Sequence, residues 1–89
     1  MKWSIKLSRS AEKFIAKNRI THEAIFSLVK IAIRYLNGED INVKIGKLSG
    51  KWEGFYKIKK GKLRIIAEFD FYSSAVFVDV IDWRGGAYK

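Results

Sequence analysis

Alternation between apolar and basic side chains dominates residues 52–69 and restricts how this stretch can fold. Apolar residues stand at every second position on both sides of Lys60 and Gly61, which predicts two antiparallel strands joined by a two-residue turn. Because side chains of a strand point alternately to opposite faces, the apolar residues share one face and the basic residues share the other. The sequence therefore predicts a β-hairpin with an apolar and a cationic face.

The turn fixes which residues of the two strands lie opposite each other. With Lys60 and Gly61 as the loop, each step outward pairs one residue from each strand. The predicted pairs are Lys59 with Lys62, Ile58 with Leu63, Lys57 with Arg64, and Tyr56 with Ile65. Like charges directly opposite each other destabilise a sheet by about 0.2 to 1 kcal/mol per pair. The cationic face is therefore either a solvated surface that resists aggregation or a preorganised site for anions such as nucleic-acid phosphates.

Length and composition set further limits. The 89 residues suffice for one domain, residues 1–89, with a single modest core. The chain has no Cys, and one His with scattered acids supplies no ligand cluster, so we expect no metal and no cofactor. The longest mainly apolar stretch, residues 24–36, is interrupted by polar residues and is too short to span a bilayer. The N-terminus lacks the apolar region of a signal peptide, so we expect a cytoplasmic protein without a membrane partner.

The net charge of +9 predicts attraction to polyanions or to a strongly acidic protein partner. Total charge does not choose between these partners. The concentration of cations on the hairpin is the more informative observation.

Two helices are predicted in the N-terminal half from apolar periodicity and capping signals. The first covers residues 11–17, and Ser8 or Ser10 can cap it. The second begins after Thr21 as N-cap and stops before Gly38.

Strands are predicted on either side of these helices and of the hairpin. Residues 3–7 alternate as a first strand and residues 75–81 as a last one, while residues 39–49 are assigned mostly to loop. The three valines of the last strand are expected on one face: Val76, Val78 and Val80. The order β-α-α-β-β-β predicts an α+β fold with two N-terminal helices packed on a mainly antiparallel four-stranded sheet. The residues expected in its core are Ile25, Leu28, Val29, Ala32, Ile58, Leu63, Ile65, Val78 and Val80.

Four segments of the second half form a more specific pattern: Lys47-Leu48-Ser49-Gly50, Gly54-Phe55-Tyr56-Lys57-Ile58-Lys59, Gly61-Lys62-Leu63-Arg64-Ile65-Ile66, and Asp82-Trp83-Arg84-Gly85-Gly86-Ala87-Tyr88-Lys89. In these segments, in length and in the order of its elements, the chain resembles the RelE/ParE superfamily of bacterial and archaeal toxins. The resemblance covers nearly the whole chain. It implies a type II toxin–antitoxin system and, in the RelE branch, a ribosome-dependent endoribonuclease that cuts mRNA in the ribosomal A site.

The partners that the resemblance implies are a cognate antitoxin with an acidic or amphipathic segment, the ribosome and mRNA. The toxin itself is expected to be a monomer that assembles into a toxin–antitoxin complex. An antitoxin segment that is disordered alone and folds as it wraps the toxin suits a strongly cationic chain.

Cleaving RNA through its own 2′-hydroxyl needs a base for the hydroxyl proton, cations for the phosphorane, and an acid or charge for the leaving 5′-oxygen. The single histidine, His22, lies in the long helix and is expected to be an ordinary surface residue. The catalytic residues that the resemblance implies are Lys57, Lys59, Arg64, Arg84 and Tyr88. The other residues expected to contact RNA are Lys47, Lys51, Lys60, Lys62 and Lys89.

The chemistry of these side chains suggests their roles. Arg64 suits a bidentate phosphate clamp, and Lys57 or Lys59 could be the base. Tyr88 could stack on a base, orient the 2′-hydroxyl or pack on the sheet.

The three tryptophans also invite a role in base stacking. Alternation with Ile5 and Leu7 places Trp3 in the core, whereas Trp52 and Trp83 are expected to flank the site.

Two alternative functions stay open. The ParE branch shares the fold but inhibits DNA gyrase through protein contacts, and a non-catalytic RNA-binding module would keep the charge without the cleavage. The joint presence of Lys57, Arg64, Arg84 and Tyr88 favours the ribonuclease over the gyrase inhibitor.

Overall fold

The protein is described here by a computed structural model that covers residues 2–84. Its elements in chain order are β1 (Ser4–Leu7), α1 (Arg9–Asn18), α2 (His22–Leu36), β2 (Lys44–Lys47), β3 (Phe55–Lys60), β4 (Leu63–Asp70) and β5 (Ala75–Trp83), with a short 3-10 turn, Gly50–Trp52, before β3. The described strands form one sheet in the order β1-β5-β4-β3-β2. β1 is parallel to β5, and all other neighbours are antiparallel. The α+β fold is confirmed, with one strand more than predicted.

The additional strand is β2, which lies within the segment assigned mostly to loop. Apolar alternation there is weak in the sequence, because Gly46 and polar residues surround Ile45. Ile45 lies opposite Ile58 of β3, so cross-strand packing makes this segment a strand. The loop assignment was therefore wrong for residues 44–47.

Both helices begin at the caps expected from the sequence. The Ser8 hydroxyl accepts the Ala11 N–H at 3.1 Å, and the Thr21 hydroxyl accepts the Ala24 N–H at 3.1 Å. Ser8 Oγ also donates to the Asp79 carbonyl at 2.6 Å, which ties the start of α1 to β5. The cap thus fixes both where α1 begins and where it sits on the sheet.

The core lies between the helices and one face of the sheet. Six of the nine residues expected there are buried: Ile25, Val29, Ala32, Ile58, Ile65 and Val78. Leu28 and Leu63 are half-buried and pack against this core. The face of the sheet that carries this core is called the helix face below, and the opposite side is called the open face.

Val80 does not lie with Val76 and Val78, because β5 contains a bulge at Asp79. Ile66 is opposite Val80, but the next residue of β4, Ala67, is opposite Val78. The inserted residue reverses the alternation, so that Ile81 occupies the core and Val80 points to the open face. The predicted common face of the three valines was wrong, since a bulge leaves no mark in simple alternation.

Asp70 holds the turn between β4 and β5. Its carboxylate accepts the Ser73 hydroxyl at 2.7 Å, the Ser73 N–H at 3.2 Å and the Tyr72 N–H at 3.0 Å. These hydrogen bonds, above all the one from the Ser73 hydroxyl, hold the pKa of Asp70 below its ordinary value of 3.8.

A depressed pKa in the folded state makes this contribution to stability depend on pH. It is fully present above pH 3.8 and is lost as the pH falls through the lower folded value. We expect Asp70→Ala to lower the urea midpoint at neutral pH and to have little effect once the carboxylate is protonated. Glu68→Ala, on the same strand, is the control. Equal destabilisation by Asp70→Ala at both pH values would contradict the role given to these hydrogen bonds.

Candidate nucleic-acid interface

The β3–β4 hairpin turns at Gly61 and Lys62, one residue later than predicted. Lys60 pairs with Leu63, so that Lys59 lies opposite Arg64. Gly61 has a φ of 59°, a left-handed conformation that glycine adopts without strain. A glycine can occupy either position of such a turn, and the sequence therefore did not decide the register. The predicted pairs were wrong.

The assignment of residues to faces nevertheless holds. Moving the turn by one residue changes each pair by two positions, and that leaves every strand residue on its predicted face. Tyr56, Ile58, Leu63 and Ile65 lie on the helix face, and Lys57, Lys59 and Arg64 lie on the open face. Lys62 belongs to the turn and not to the strand.

Four residues of the open face lie in register across four strands, and we call them the charged row. Lys44 is opposite Lys59, Lys59 is opposite Arg64, and Arg64 is opposite Asp82. Neighbouring strands lie about 4.8 Å apart, so three cations are spread over about 10 Å. Within residues 2–84, the ion pairs join Glu12 to His22 and Arg34 to Glu39, neither of them in this row. The row is a concentrated positive field that an anion can neutralise.

A row of isoleucines lies on the helix face, directly behind the charged row. Ile45 is opposite Ile58, Ile58 is opposite Ile65, and Ile65 is opposite Ile81. Each isoleucine is a chain neighbour of one member of the charged row. Because three of the four are buried and Ile45 packs against the same core, the backbone beneath the cations is fixed by apolar packing.

Hydrogen bonds hold the Arg64 side chain at the hairpin turn. Its Nη1 donates to the Gly61 carbonyl at 2.7 Å and to the Leu63 carbonyl at 2.9 Å. These bonds occupy Nη1, and the opposite edge of the guanidinium, Nε with Nη2, can contact two oxygens of one phosphate. Arg64 is therefore oriented before any ligand binds.

The same turn brings Arg84 to this corner of the sheet. The Arg84 N–H donates to the Lys62 carbonyl at 2.6 Å, which joins the end of β5 to the β3–β4 turn. Three of the expected catalytic residues, Lys59, Arg64 and Arg84, thus lie around one turn. Lys57 lies two residues along β3 from Lys59, opposite Ile66. Tyr88 and Lys89 lie outside the described residues.

The other lysines expected to contact RNA separate into two groups. Lys60 and Lys62 adjoin the turn at which Lys59, Arg64 and Arg84 meet. Lys47 is opposite Tyr56, near the other end of β3, and Lys51 lies in the 3-10 turn that precedes it. Lys62 thus adjoins the charged row, whereas Lys60 lies on the helix face because it pairs with Leu63. Lys47 shares only the groove along β2 with the row, and Lys51 lies beyond it in the 3-10 turn.

Two grooves border the charged row and share Lys44 and Lys59. The first, of about 370 Å³, lies between α2 and the end of the hairpin and is also lined by Arg64. The second, of about 530 Å³, follows β2 and is also lined by Lys47 and Lys57. Cations along two connected grooves can follow a phosphate backbone, which an isolated anion site would not require.

Trp83 does not flank the charged row as expected, because the bulge turns it to the helix face. Its ring lies edge-on to Phe14 at 5.2 Å, and its Nε1 donates to Asn18 Oδ1 at 3.3 Å. Trp52 lies edge-on to Phe55 at 5.3 Å, toward the far end of β3. Trp3 packs against the core, as predicted.

Sequence reasoning missed Asp82, the only carboxylate of the charged row. The same bulge that turns Val80 outward places Asp82 on the open face, opposite Arg64. Its Oδ1 accepts the Trp83 N–H at 2.7 Å, which orients the carboxylate. The row thus offers a proton acceptor beside three cations, a combination that acid–base chemistry at a phosphate needs.

In the observed register the cost of like charges falls on Lys59, which faces Lys44 on one side and Arg64 on the other, whereas Lys57 faces Ile66. We expect Lys59→Thr to keep or raise the free energy of unfolding, by up to about 1 kcal/mol at low salt. The gain should shrink at high salt, where exposed charges are screened. Lys60→Thr, which faces Leu63, is the matched control. A clear loss of stability in Lys59→Thr would show that the lysine makes a stabilising contact instead.

The described residues contain no group of three His, Asp or Glu side chains that could hold a metal ion. Neither α-helix in residues 2–84 has the length and apolar character needed to cross a bilayer.

Comparison with known proteins gives a likeness of structure. No family model matches the sequence, and no curated protein matches it. YafQ from Escherichia coli is 12% identical with a TM-score of 0.69, covering 99% of this chain and 100% of YafQ. A chain of the toxin–antitoxin complex RelBE2 from Mycobacterium tuberculosis is 18% identical with a TM-score of 0.61, covering 94% of this chain and 100% of that one.

An archaeal example is also similar. A chain of the RelE–RelB complex from Pyrococcus horikoshii is 18% identical with a TM-score of 0.59, covering 98% of this chain and 100% of that one. At these identities the likeness establishes a common fold. The chain has the fold of RelE-type toxins, which agrees with the resemblance found in its sequence.

Proposed function

We propose that this chain is the toxin of a type II toxin–antitoxin system and that it cleaves mRNA in the ribosomal A site. One observation carries the proposal: Lys59 and Arg64 lie opposite each other on the open face of a RelE-type fold, and the Arg84 backbone is bonded to the turn beside them. A gyrase inhibitor that acts through protein contacts has no need for such a cluster. In this proposal the toxin acts in the cytoplasm and is monomeric until its antitoxin binds.

The proposed reaction is attack of a 2′-hydroxyl on the adjacent phosphate, with the 5′-oxygen as leaving group. Arg64 clamps the phosphate and stabilises the charge that grows on its oxygens. Arg84 stabilises the departing 5′-oxygen, which takes up a proton from water, and the products are a 2′,3′-cyclic phosphate and a 5′-hydroxyl. Lys57 or Lys59 accepts the hydroxyl proton, and Asp82 is a third candidate for that role because it faces Arg64. Every step of this scheme uses protein side chains.

The test is cleavage of mRNA on programmed ribosomes, with supercoiling by DNA gyrase assayed in parallel. Cuts by the wild-type chain at A-site codons support the proposal. Absence of cutting together with gyrase inhibition that survives Arg84→Ala would assign the chain to the ParE-like function. RNA binding without cutting would leave a binding module.

A cognate antitoxin is the partner that this function requires, and we expect it to bind tightly through an acidic or amphipathic segment. Attraction between that segment and a chain of net charge +9 should weaken as salt rises. The measurement is the dissociation constant for the protein encoded beside this chain, at low and high salt. Harmless expression of the chain alone, with no acidic protein that co-purifies from its host, would count strongly against a toxin.

A further inference from the structure

We propose that a second row on the open face binds one unpaired nucleobase of single-stranded RNA and favours guanine. This row, called the aromatic row, consists of Phe55, Glu68 and Phe77. The inference rests on the proposed function only in taking RNA as the ligand of the open face. It adds a binding subsite for a base to the phosphate contacts of the charged row.

The pairing of three strands assembles the aromatic row. Phe55 is opposite Glu68, and Glu68 is opposite Phe77. Phe77 stands between Val76 and Val78, which are both buried in the core, so its own side chain points to the open face. A carboxylate therefore lies between two aromatic rings on the same face.

The exposure of these side chains fits a binding role. Phe77 is 40% exposed, although it is a large apolar side chain near the middle of a sheet. Phe55 is half-buried and held edge-on by Trp52 at 5.3 Å, so one ring of the row is fixed by packing. Glu68 is exposed and is in neither of the ion pairs found within residues 2–84. One ring and one carboxylate are thus available to a ligand.

The chemistry of a guanine base matches these two groups. An exposed ring offers a face for stacking, the main way in which proteins hold unpaired bases. Two carboxylate oxygens can accept two adjacent N–H groups, and guanine presents such a pair on its pairing edge, whereas uracil presents a single N–H between two carbonyls. Carboxylates read amino groups of bases in the same manner elsewhere.

The distance between the two rows suits one RNA strand. Along β4, Glu68 follows Arg64 by four residues, which corresponds to about 13 Å. Lys57 lies between the rows, two residues or about 7 Å from Phe55. A strand with its scissile phosphate at Arg64 can pass a neighbouring phosphate near Lys57 and lay a base on Phe77. Between the rows Ile66 lies opposite Val80 on the open face but is itself fully buried, so the RNA strand would pass over the side chains that cover it.

A protein partner fits the aromatic row less well. One exposed ring beside a carboxylate is much smaller than the contiguous apolar patch of several hundred Å² that marks protein–protein sites. The cations next to the row, Lys57 and Lys6, the latter paired with Phe77, favour a ligand that carries both phosphates and an apolar base.

The experiment measures binding of oligonucleotides of about six residues whose riboses are 2′-O-methylated, so that binding is separated from cleavage. Each oligomer is uridine throughout or has guanosine at one position. Phe77→Ala should weaken binding about tenfold without changing the dependence on salt, because a stacking contact releases no counterions. Glu68→Gln should abolish the preference for guanosine.

Two control variants separate stacking from charge. Phe71→Ala removes a ring of similar exposure, 43%, from the β4–β5 turn and should leave RNA affinity unchanged. Lys59→Ala should reduce the slope of log affinity against log salt by about 0.7, the value for one phosphate of a single strand.

Unchanged affinity in Phe77→Ala, equal binding of both oligomers by the wild type, or no binding at all would overturn the base subsite. Base-selective binding that needs Phe77 and Glu68, combined with no cleavage on ribosomes, would support the subsite and overturn the ribonuclease. Cleavage by the wild type on ribosomes, together with RNA binding that neither Phe77→Ala nor Glu68→Gln changes, would support the ribonuclease and overturn the subsite.

Discussion

Replacing Arg64 with Ala is expected to slow mRNA cleavage by about 10² to 10³-fold while leaving the melting temperature close to that of the wild type. The rate should fall because the Gly61 and Leu63 carbonyls already orient the guanidinium, which contacts the scissile phosphate in the proposed reaction. A preorganised charge stabilises the transition state without reorganisation during the reaction, and its loss is felt mainly in the rate.

The stability should change little because two opposing effects are of similar size. A hydrogen bond contributes about 0.5 to 1.5 kcal/mol to the free energy of unfolding. The bonds from Arg64 contribute less than this, because the side chain is half-exposed at the turn. Removing the positive charge opposite Lys59 raises the free energy of unfolding by about 0.2 to 1 kcal/mol. Thermal melts of the same protein samples used for cleavage test this balance directly.

Two further variants make the result specific to the guanidinium. Arg34→Ala removes an exposed arginine of α2 that pairs with Glu39 at 2.9 Å, and it should cleave at the wild-type rate. Arg64→Lys keeps the charge but loses the planar pair of donors, so it should restore only a small part of the activity. If Arg64→Ala cleaved as fast as Arg34→Ala, Arg64 would not contact the reacting phosphate.

The faces of the hairpin could be predicted from the sequence because alternation has a period of two. Any turn of even length at this place puts Ile58 with Ile65 and Lys59 with Arg64 on common faces, whichever residues form the loop. The prediction therefore survived an error in the turn itself. Helix caps were equally local: Ser8 and Thr21 need only the three residues that follow them.

Features that depend on distant parts of the chain could not be predicted. β2 forms because Ile45 lies opposite Ile58, and the pattern of residues 39–49 alone does not indicate that pairing. The bulge at Asp79 decides the side on which four following residues lie, and its position is set by pairing with β4. That one inserted residue explains why Val80 and Trp83 were misplaced and why Asp82 was missed.

In the proposed function, the open face of the sheet binds RNA and the helix face supplies stability. On the open face, like charges lie in register at a cost to the sheet, and the aromatic row leaves a ring in water. On the helix face, the isoleucine row directly beneath supplies the apolar packing that offsets these costs. Substitutions on the two faces should therefore separate activity from folding.

Ile65→Ala is expected to lower the free energy of unfolding by about 2 to 5 kcal/mol, the largest stability effect that we predict. Ile65 is 1% exposed and lies between Ile58 and Ile81 in the isoleucine row, so truncation leaves a cavity that close-packed neighbours fill poorly. Small domains have about 5 to 15 kcal/mol in total, and much of this chain's stability would be lost.

The same substitution tests whether the isoleucine row supports the charged row only through folding. Ile65→Val removes one methylene and should cost about 0.5 to 1.5 kcal/mol, which leaves the chain folded. Urea denaturation gives the stability of each variant, and cleavage is then compared per folded molecule at a temperature at which Ile65→Val is intact. Because Arg64 is fixed by its own bonds at the turn, Ile65→Val should cleave at nearly the wild-type rate. A folded Ile65→Val that lost cleavage as severely as Arg64→Ala would show instead that the packing beneath Arg64 sets the geometry of the site.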